Sequence, residues 1–188
     1  MKISDVKRAT VEKWLAKFGI TKFIINDDLT VDVNESVMIS SRMNALPIQF
    51  GTIRGNFGCV GNKNITTFKG FPHTIHGNFS CAKNKISSFE FSPSYVSGVY
   101  SCSQNNFETL HDIQKHIRHV GEDIHCGQQF FGPPTHILGL FRIKDLKHAF
   151  VGIPELNVIV NKCLKEGKDA LLCQEELIAA GFEDYAEF

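Results

Sequence analysis

The chain has 188 residues, 43% of them hydrophobic, with 20 Lys+Arg balanced by 20 Asp+Glu. A chain of this size can bury a sizeable core, and zero formal charge leaves no cationic excess for gripping a nucleic-acid backbone or an anionic membrane surface. No run approaches the roughly 20 apolar residues of a membrane helix, and Met1-Lys2-Ile3-Ser4-Asp5 leads into a charged amphipathic segment rather than a signal peptide, so a cytoplasmic location with reduced thiols is expected.

Val6, Val11, Trp14, Leu15 and Phe18 fall on one helical stripe that stops at Gly19, which predicts an amphipathic N-terminal helix within residues 1–19. From Val31 the pattern changes to an internal repeat. Ile53-Arg-Gly-Asn-Phe57-Gly-Cys59 aligns with Ile75-His-Gly-Asn-Phe79-Ser-Cys81, with Val96-Ser-Gly-Val-Tyr100-Ser-Cys102 and with Val120-Gly-Glu-Asp-Ile124-His-Cys126. Successive cysteines lie 22, 21 and 24 residues apart, and a degenerate copy, Val33-Asn-Glu-Ser-Val37-Met-Ile39, precedes them. Cys81-Ala-Lys-Asn84-Lys-Ile86-Ser-Ser-Phe89 and Cys102-Ser-Gln-Asn105-Asn-Phe107-Glu-Thr-Leu110 extend the match into leucine-rich-repeat spacing, with aromatics and cysteine in place of several leucines.

In such a turn the alternating apolar pair is a short strand facing the core, and the asparagine bends the chain while bonding backbone groups. After Pro133-Pro134 the repeat fails. Leu156, Ile159, Val160, Cys163 and Leu164 predict a helix from Pro154 to Gly167; Leu171, Leu172, Glu175, Glu176, Leu177 and Ile178 predict another ending near Gly181. The expected fold is a single-domain α/β solenoid: leucine-rich-repeat-like parallel strands over residues 31–134, capped by helix over residues 1–19 and 135–188. Its sheet is expected to hold four or five parallel strands between Val31 and Cys126.

The chain resembles a group of small accessory proteins of T4-like tailed bacteriophages. The shared features are Trp14 to Ile20, the Thr-Val-Asp-Val segment Thr30 to Val33, the Gly-Asn-Phe-x-Cys-x-x-Asn repeat at Gly77 to Ile86, and the acidic Cys-Gln-Glu-Glu-Leu run Cys173 to Leu177. The resemblance implies a protein of the host cytoplasm that acts on host factors, including defence effectors such as a DNA-modifying, ADP-ribosylating toxin of a toxin–antitoxin pair. It carries no catalytic motif.

Cys59, Cys81, Cys102 and Cys126 invite a metal-site reading, but equivalent positions on stacked turns form a line about 4.8 Å apart, whereas zinc needs four sulfurs about 2.3 Å from one centre. They are read as a buried thiol ladder. The eight histidines fall into no catalytic signature, and Gly55, Gly77 and Gly98 are read as tight bends needing permissive backbone angles rather than a phosphate loop. No catalytic residue, cofactor or metal is assigned.

Two outward columns follow from the repeat register: Met38, Gly58, Ser80, Ser101, His125, and beside it Ser36, Asn56, Asn78, Val99, Asp123. Their small polar side chains mark Asn56, Asn78, Ser80, Ser101, Asp123 and His125 as the candidate contact set for a protein partner, an ordinary solvated sheet face being the plain alternative. The function expected is non-enzymatic binding and inhibition of a host protein, with neither nucleic acid nor membrane as partner. The alternative is a structural or assembly adaptor of the virus particle or its replication machinery.

Overall fold

A computed structural model describes residues 3–40, 42–127 and 132–187, with side chains omitted for residues 3–6, so Val6 lies outside the described side chains. The chain opens with helix α1 (Ile3–Lys17), then forms β1 (Phe23–Ile25). Five turns follow, each giving two short strands: β2 (Val31–Val33) and β3 (Val37–Met38), β4 (Phe50–Ile53) and β5 (Phe57–Gly58), β6 (Thr74–Ile75) and β7 (Phe79–Ser80), β8 (Tyr95–Val96) and β9 (Tyr100–Ser101), β10 (His119–Val120) and β11 (Asp123–His125). A short helix, α2 (Ile113–His116), precedes β10; β12 (His148–Phe150), α3 (Pro154–Glu166) and α4 (Ala170–Ala179) complete the fold.

The result is a parallel β-solenoid of about five turns with two sheets rather than the single curved sheet expected. One runs β1-β2-β4-β6-β8-β10 and the other β12-β11-β9-β7-β5-β3. Ile53 and Phe57 are both buried, but the chain turns a corner between them at Arg54-Gly55-Asn56. A spacing of four is a multiple of the strand period of two, so one straight strand and two strands joined by a corner give the same apolar pattern.

The corner glycines also work differently from the expectation. Gly55 and Gly77 do not have positive φ. They are small because successive turns touch there: a Cβ on Gly77 would stand 2.6 Å from Gly55 O, and one on Gly55 would stand 2.8 Å from Ser36 N. Gly19 and Gly167, by contrast, end α1 and α3 with φ of 66° and 65°, the left-handed stop that glycine supplies without strain.

Inside, the inward positions stack in register, Phe57 opposite Phe79 and Phe79 opposite Tyr100. Phe57 and Phe79 are stacked with centroids 6.2 Å apart, and Phe79 meets Tyr100 at 4.7 Å. Phe89 and Phe107 stack at 4.2 Å with planes 8° apart. The repeat asparagines are buried and bond the backbone across turns. Asn84 Nδ2 donates to Cys59 O (2.7 Å) and Cys81 O (2.8 Å), while Asn105 Nδ2 donates to Cys81 O (3.0 Å) and Cys102 O (2.9 Å). Each also accepts: Asn84 Oδ1 from Asn62 N (3.1 Å) and Asn105 Oδ1 from Ile86 N (3.0 Å). A carbonyl left unpaired in such a core would cost a large fraction of a domain's stability, so these asparagines are structural.

At one end, α1 buries Leu15 and sets Trp14 edge-on to Phe50 at 6.1 Å. At the other, parallel pairing continues past residue 134: Asp123, Ile124 and His125 pair with His148, Ala149 and Phe150. Helix α3 lies against β12, where Asn161 Oδ1 accepts from Ala149 N (2.7 Å) and Asn157 Oδ1 accepts from Val151 N (2.8 Å). Helix α4 buries Cys173 and Leu177, which are four apart on one stripe; of the apolar residues expected to mark this helix only Leu177 is buried, and Leu171, Leu172 and Ile178 are exposed.

Candidate functional site

The second sheet presents the first expected column on its outer surface. Met38 pairs with Gly58, Gly58 with Ser80, Ser80 with Ser101, Ser101 with His125 and His125 with Phe150. The column is bulky at its ends and low in the middle. Met38 is 63% exposed and lies over Gly58, where a Cβ would stand 2.5 Å from its sulfur. At the other end the His125 and Phe150 rings meet at 4.6 Å, with Phe150 also exposed. Ser80 and Ser101, half-buried, form the floor between them. At about 4.8 Å per strand, the six positions span roughly 24 Å.

The neighbouring corner column is occupied by the fold. Ser36 Oγ accepts from Asn56 N (3.0 Å), Asn56 Oδ1 from Asn78 N (2.8 Å) and Asn78 Oδ1 from Val99 N (2.9 Å). Asp123 Oδ1 contacts His148 Nδ1 at 2.8 Å. The candidate residues thus fall into two groups. Ser80, Ser101 and His125 face outward as expected; Asn56, Asn78 and Asp123 sit beside them with carbonyl or carboxylate oxygens engaged in joining turns. A partner meeting the corner would find chiefly the exposed Nδ2 groups of Asn56 and Asn78, which donate no hydrogen bond among the described residues.

A third column was hidden from sequence reasoning because the first sheet was not foreseen. Thr52, Thr74, Tyr95 and His119 follow one another in register on its outer surface. Tyr95 stacks on His119 at 4.3 Å with planes 5° apart, His76 meets Tyr95 at 5.7 Å, and His119 Nδ1 lies 3.1 Å from Asp145. The signal was the residue immediately before each inward aliphatic: Thr52, Thr74, Tyr95 and His119 precede Ile53, Ile75, Val96 and Val120.

The thiols are chemically quiet. Cys59, Cys81, Cys102 and Cys126 are fully buried and joined by no disulfide, as are Cys163 and Cys173. Burial pushes the Cys59 thiol up to about 12 despite a side-chain hydrogen bond with Asn62, and burial raises Cys81 and Cys102 as well. Protonated, inaccessible sulfur is neither a nucleophile nor a metal ligand. Among the described residues no group of three or more His, Cys, Asp and Glu is placed to hold a metal ion, and no helix is long and apolar enough to cross a membrane.

Among the described residues, a hydroxyl–imidazole–carboxylate line is centred on His136. His136 Nδ1 lies 2.8 Å from Thr135 Oγ1 and 3.1 Å from Thr109 Oγ1, with Nε2 3.1 Å from Glu187. The Thr135 hydroxyl, however, donates to Glu108 O (3.3 Å), and Thr109 Oγ1 accepts from His111 N (3.0 Å). Both hydroxyls serve the turn, and the line ties the C-terminal segment to the last turns of the solenoid. Compared with profiles of known protein families, with curated proteins and with solved structures, the chain matches none.

Proposed function

We propose that this is a non-enzymatic binding protein that engages a host protein across the outer surface of its second sheet and thereby inhibits or modulates it. The observation that carries this reading is the shape of the column from Met38 to Phe150. An exposed thioether and an aromatic pair, half-buried His125 with exposed Phe150, flank a floor of small serines, so a partner's backbone can come close between two anchors. Rigid repeats commonly use such regular surfaces for protein recognition. The repeats are of the leucine-rich type in this reading, with α1 at one end and α3 and α4 at the other acting as caps that keep the sheet ends from pairing with other chains. Resemblance to phage accessory proteins supports a host defence effector as target, with a DNA-modifying, ADP-ribosylating toxin as the leading instance and the host cytoplasm as the place of action.

The test is affinity capture from infected-host extract with the wild type and a Ser80→Lys/Ser101→Lys double variant, after circular dichroism has shown that the variant keeps its fold. The reading expects a host protein retained by the wild type and bound at least about tenfold more weakly by the variant, a difference of ~1.4 kcal/mol. Equal retention by both contradicts the assigned surface. Selective retention of a viral structural or replication protein would favour the adaptor role.

A further inference from the structure

The turn leading into three strands of the first sheet has one residue in the left-handed region: Gly70 (φ 91°), Phe91 (φ 62°) and Asp112 (φ 60°). Each turn closes the same way, by Phe71 N to Phe68 O (2.9 Å), Ser92 N to Phe89 O (2.9 Å) and Ile113 N to Leu110 O (3.0 Å). Glycine and aspartate suit this backbone, whereas a bulky side chain crowds its own carbonyl there. Phe91 is also 57% exposed, so burial of its ring does not compensate for the strain. Leu29, Lys63, Lys83 and Gln104 share the left-handed φ, but among the described residues only Phe91 combines it with an exposed aromatic ring that the core does not account for, and strain held together with such exposure is a pointer to binding.

Phe91 lines a cavity of about 450 Å³ together with His73, Ser94, Lys115, His116 and Arg118. Arg118 is exposed, and its guanidinium makes no hydrogen bond or ion pair among the described residues. Lys115 Nζ contacts Asp112 at 2.6 Å, which partly offsets its charge. His73 Nδ1 lies 3.1 Å from Ser94 Oγ, leaving Nε2 for a ligand. An aromatic face, a planar guanidinium, an ammonium and two imidazoles therefore share one concavity of small-molecule size.

We propose that this cavity binds a nucleoside diphosphate, the base laid on the Phe91 ring and the phosphates held by Arg118, Lys115 and the imidazoles of His73 and His116. Stacking on an aromatic face suits any base, and the guanidinium fork matches phosphate oxygens in geometry as well as charge. Zero net charge disfavours a long polyanion, which needs an extended cationic track, while leaving a local site for a small anion intact. The site lies on elements of the first sheet and its turns and shares no residue with the column from Met38 to Phe150.

The test is titration calorimetry with ADP, adenosine and pyrophosphate on the wild type, Phe91→Gly and Arg118→Ala, with hexaglutamate as a further probe. ADP is expected to bind with submillimolar affinity, and adenosine and pyrophosphate each about tenfold or more weaker. Arg118→Ala should weaken ADP and pyrophosphate and spare adenosine; Phe91→Gly should weaken ADP and adenosine, spare pyrophosphate, and raise Tm by about 2–4 °C through relief of the turn. The proposal is overturned if ADP binds no better than millimolar, if pyrophosphate binds as well as ADP, or if hexaglutamate binds more tightly, which would assign the cavity to an acidic protein segment. A fall in Tm for Phe91→Gly would remove the strain on which the inference rests.

Discussion

Asn56 Oδ1 accepts a hydrogen bond from the backbone N–H of Asn78, one turn along at 2.8 Å, and Asn78 Oδ1 does the same for Val99 at 2.9 Å. Side chains that seemed free to meet a partner are part of how the turns are joined. The same residue type does a heavier task inside, where Asn105 is fully buried and bonds Cys81 O, Cys102 O and Ile86 N.

The two asparagine ladders are therefore expected to differ in energetic weight. Asn105→Ala strands buried carbonyls away from water and should lower stability by about 2–4 kcal/mol, whereas Asn78→Ala exposes Val99 N–H to solvent and should cost about 1 kcal/mol or less. Urea denaturation of both variants checks this, and the reverse ranking would contradict the assignment of the buried ladder.

Gly77 should resist even the smallest side chain. A Cβ there meets Gly55 O at 2.6 Å, a backbone atom that moves only if the turns part, so Gly77→Ala is expected to lower stability by several kcal/mol, on the scale of severe overpacking. At Gly19 nothing lies within 4 Å but φ is 66°, and Gly19→Ala should cost about 1 kcal/mol, from the left-handed backbone alone. Thermal melts of the two variants separate close approach from backbone conformation.

The buried thiols set an alkaline limit. Burial raises the Cys59 pKa from 9.0 in the unfolded chain to about 12, so folding favours the protonated form. This contribution is fully present below pH 9 and is lost as pH climbs from 9 towards 12, with Cys81 and Cys102 acting in the same direction. Chemical denaturation at pH 7 and pH 10 should show lower stability at pH 10, and a thiol reagent should label the native protein far more slowly than the unfolded one. Fast labelling of native protein at neutral pH would show that the sulfurs are not enclosed.

The last strand is expected to depend on two helix asparagines. Asn157→Ala or Asn161→Ala leaves Val151 N or Ala149 N without its side-chain acceptor. Each should lower stability by about 1–2 kcal/mol and speed amide exchange at β12 more than at β7. Uniform exchange across both strands would mean that α3 does not hold the sheet end.

Much of this organisation was legible in the repeat. The register that places Ser80 beside Ser101 and His125 follows from cysteine spacing, because one inward residue per turn fixes the phase of its neighbours. Gly19 and Gly167 marked the ends of α1 and α3 because left-handed stops favour glycine. What sequence could not separate was a strand from a cornered pair of strands, since Ile53 and Phe57 keep the same phase in both. Leu177 faces inward within the expected apolar set, but the burial of Cys173 beside it and the exposure of Leu171, Leu172 and Ile178 were equally hidden, because tertiary packing selects which stripe of a largely apolar helix faces inward. The engagement of Asn56 and Asn78 depended on how closely the turns stack, which a linear pattern does not carry.

Each turn gives one strand to each of two sheets, so that Ser80 and Ser101 are neighbours on an outward face while Thr74 and Tyr95 are neighbours on another. Nuclear Overhauser contacts between backbone protons measure both relationships in one sample. Cross-strand contacts are expected for Ser80 with Ser101 and, in the same molecule, for Thr74 with Tyr95. Contacts along the Phe57, Phe79 and Tyr100 line with none linking Thr52, Thr74 and Tyr95 would indicate a single sheet, and would contradict the two-sheet solenoid and the surfaces assigned on it.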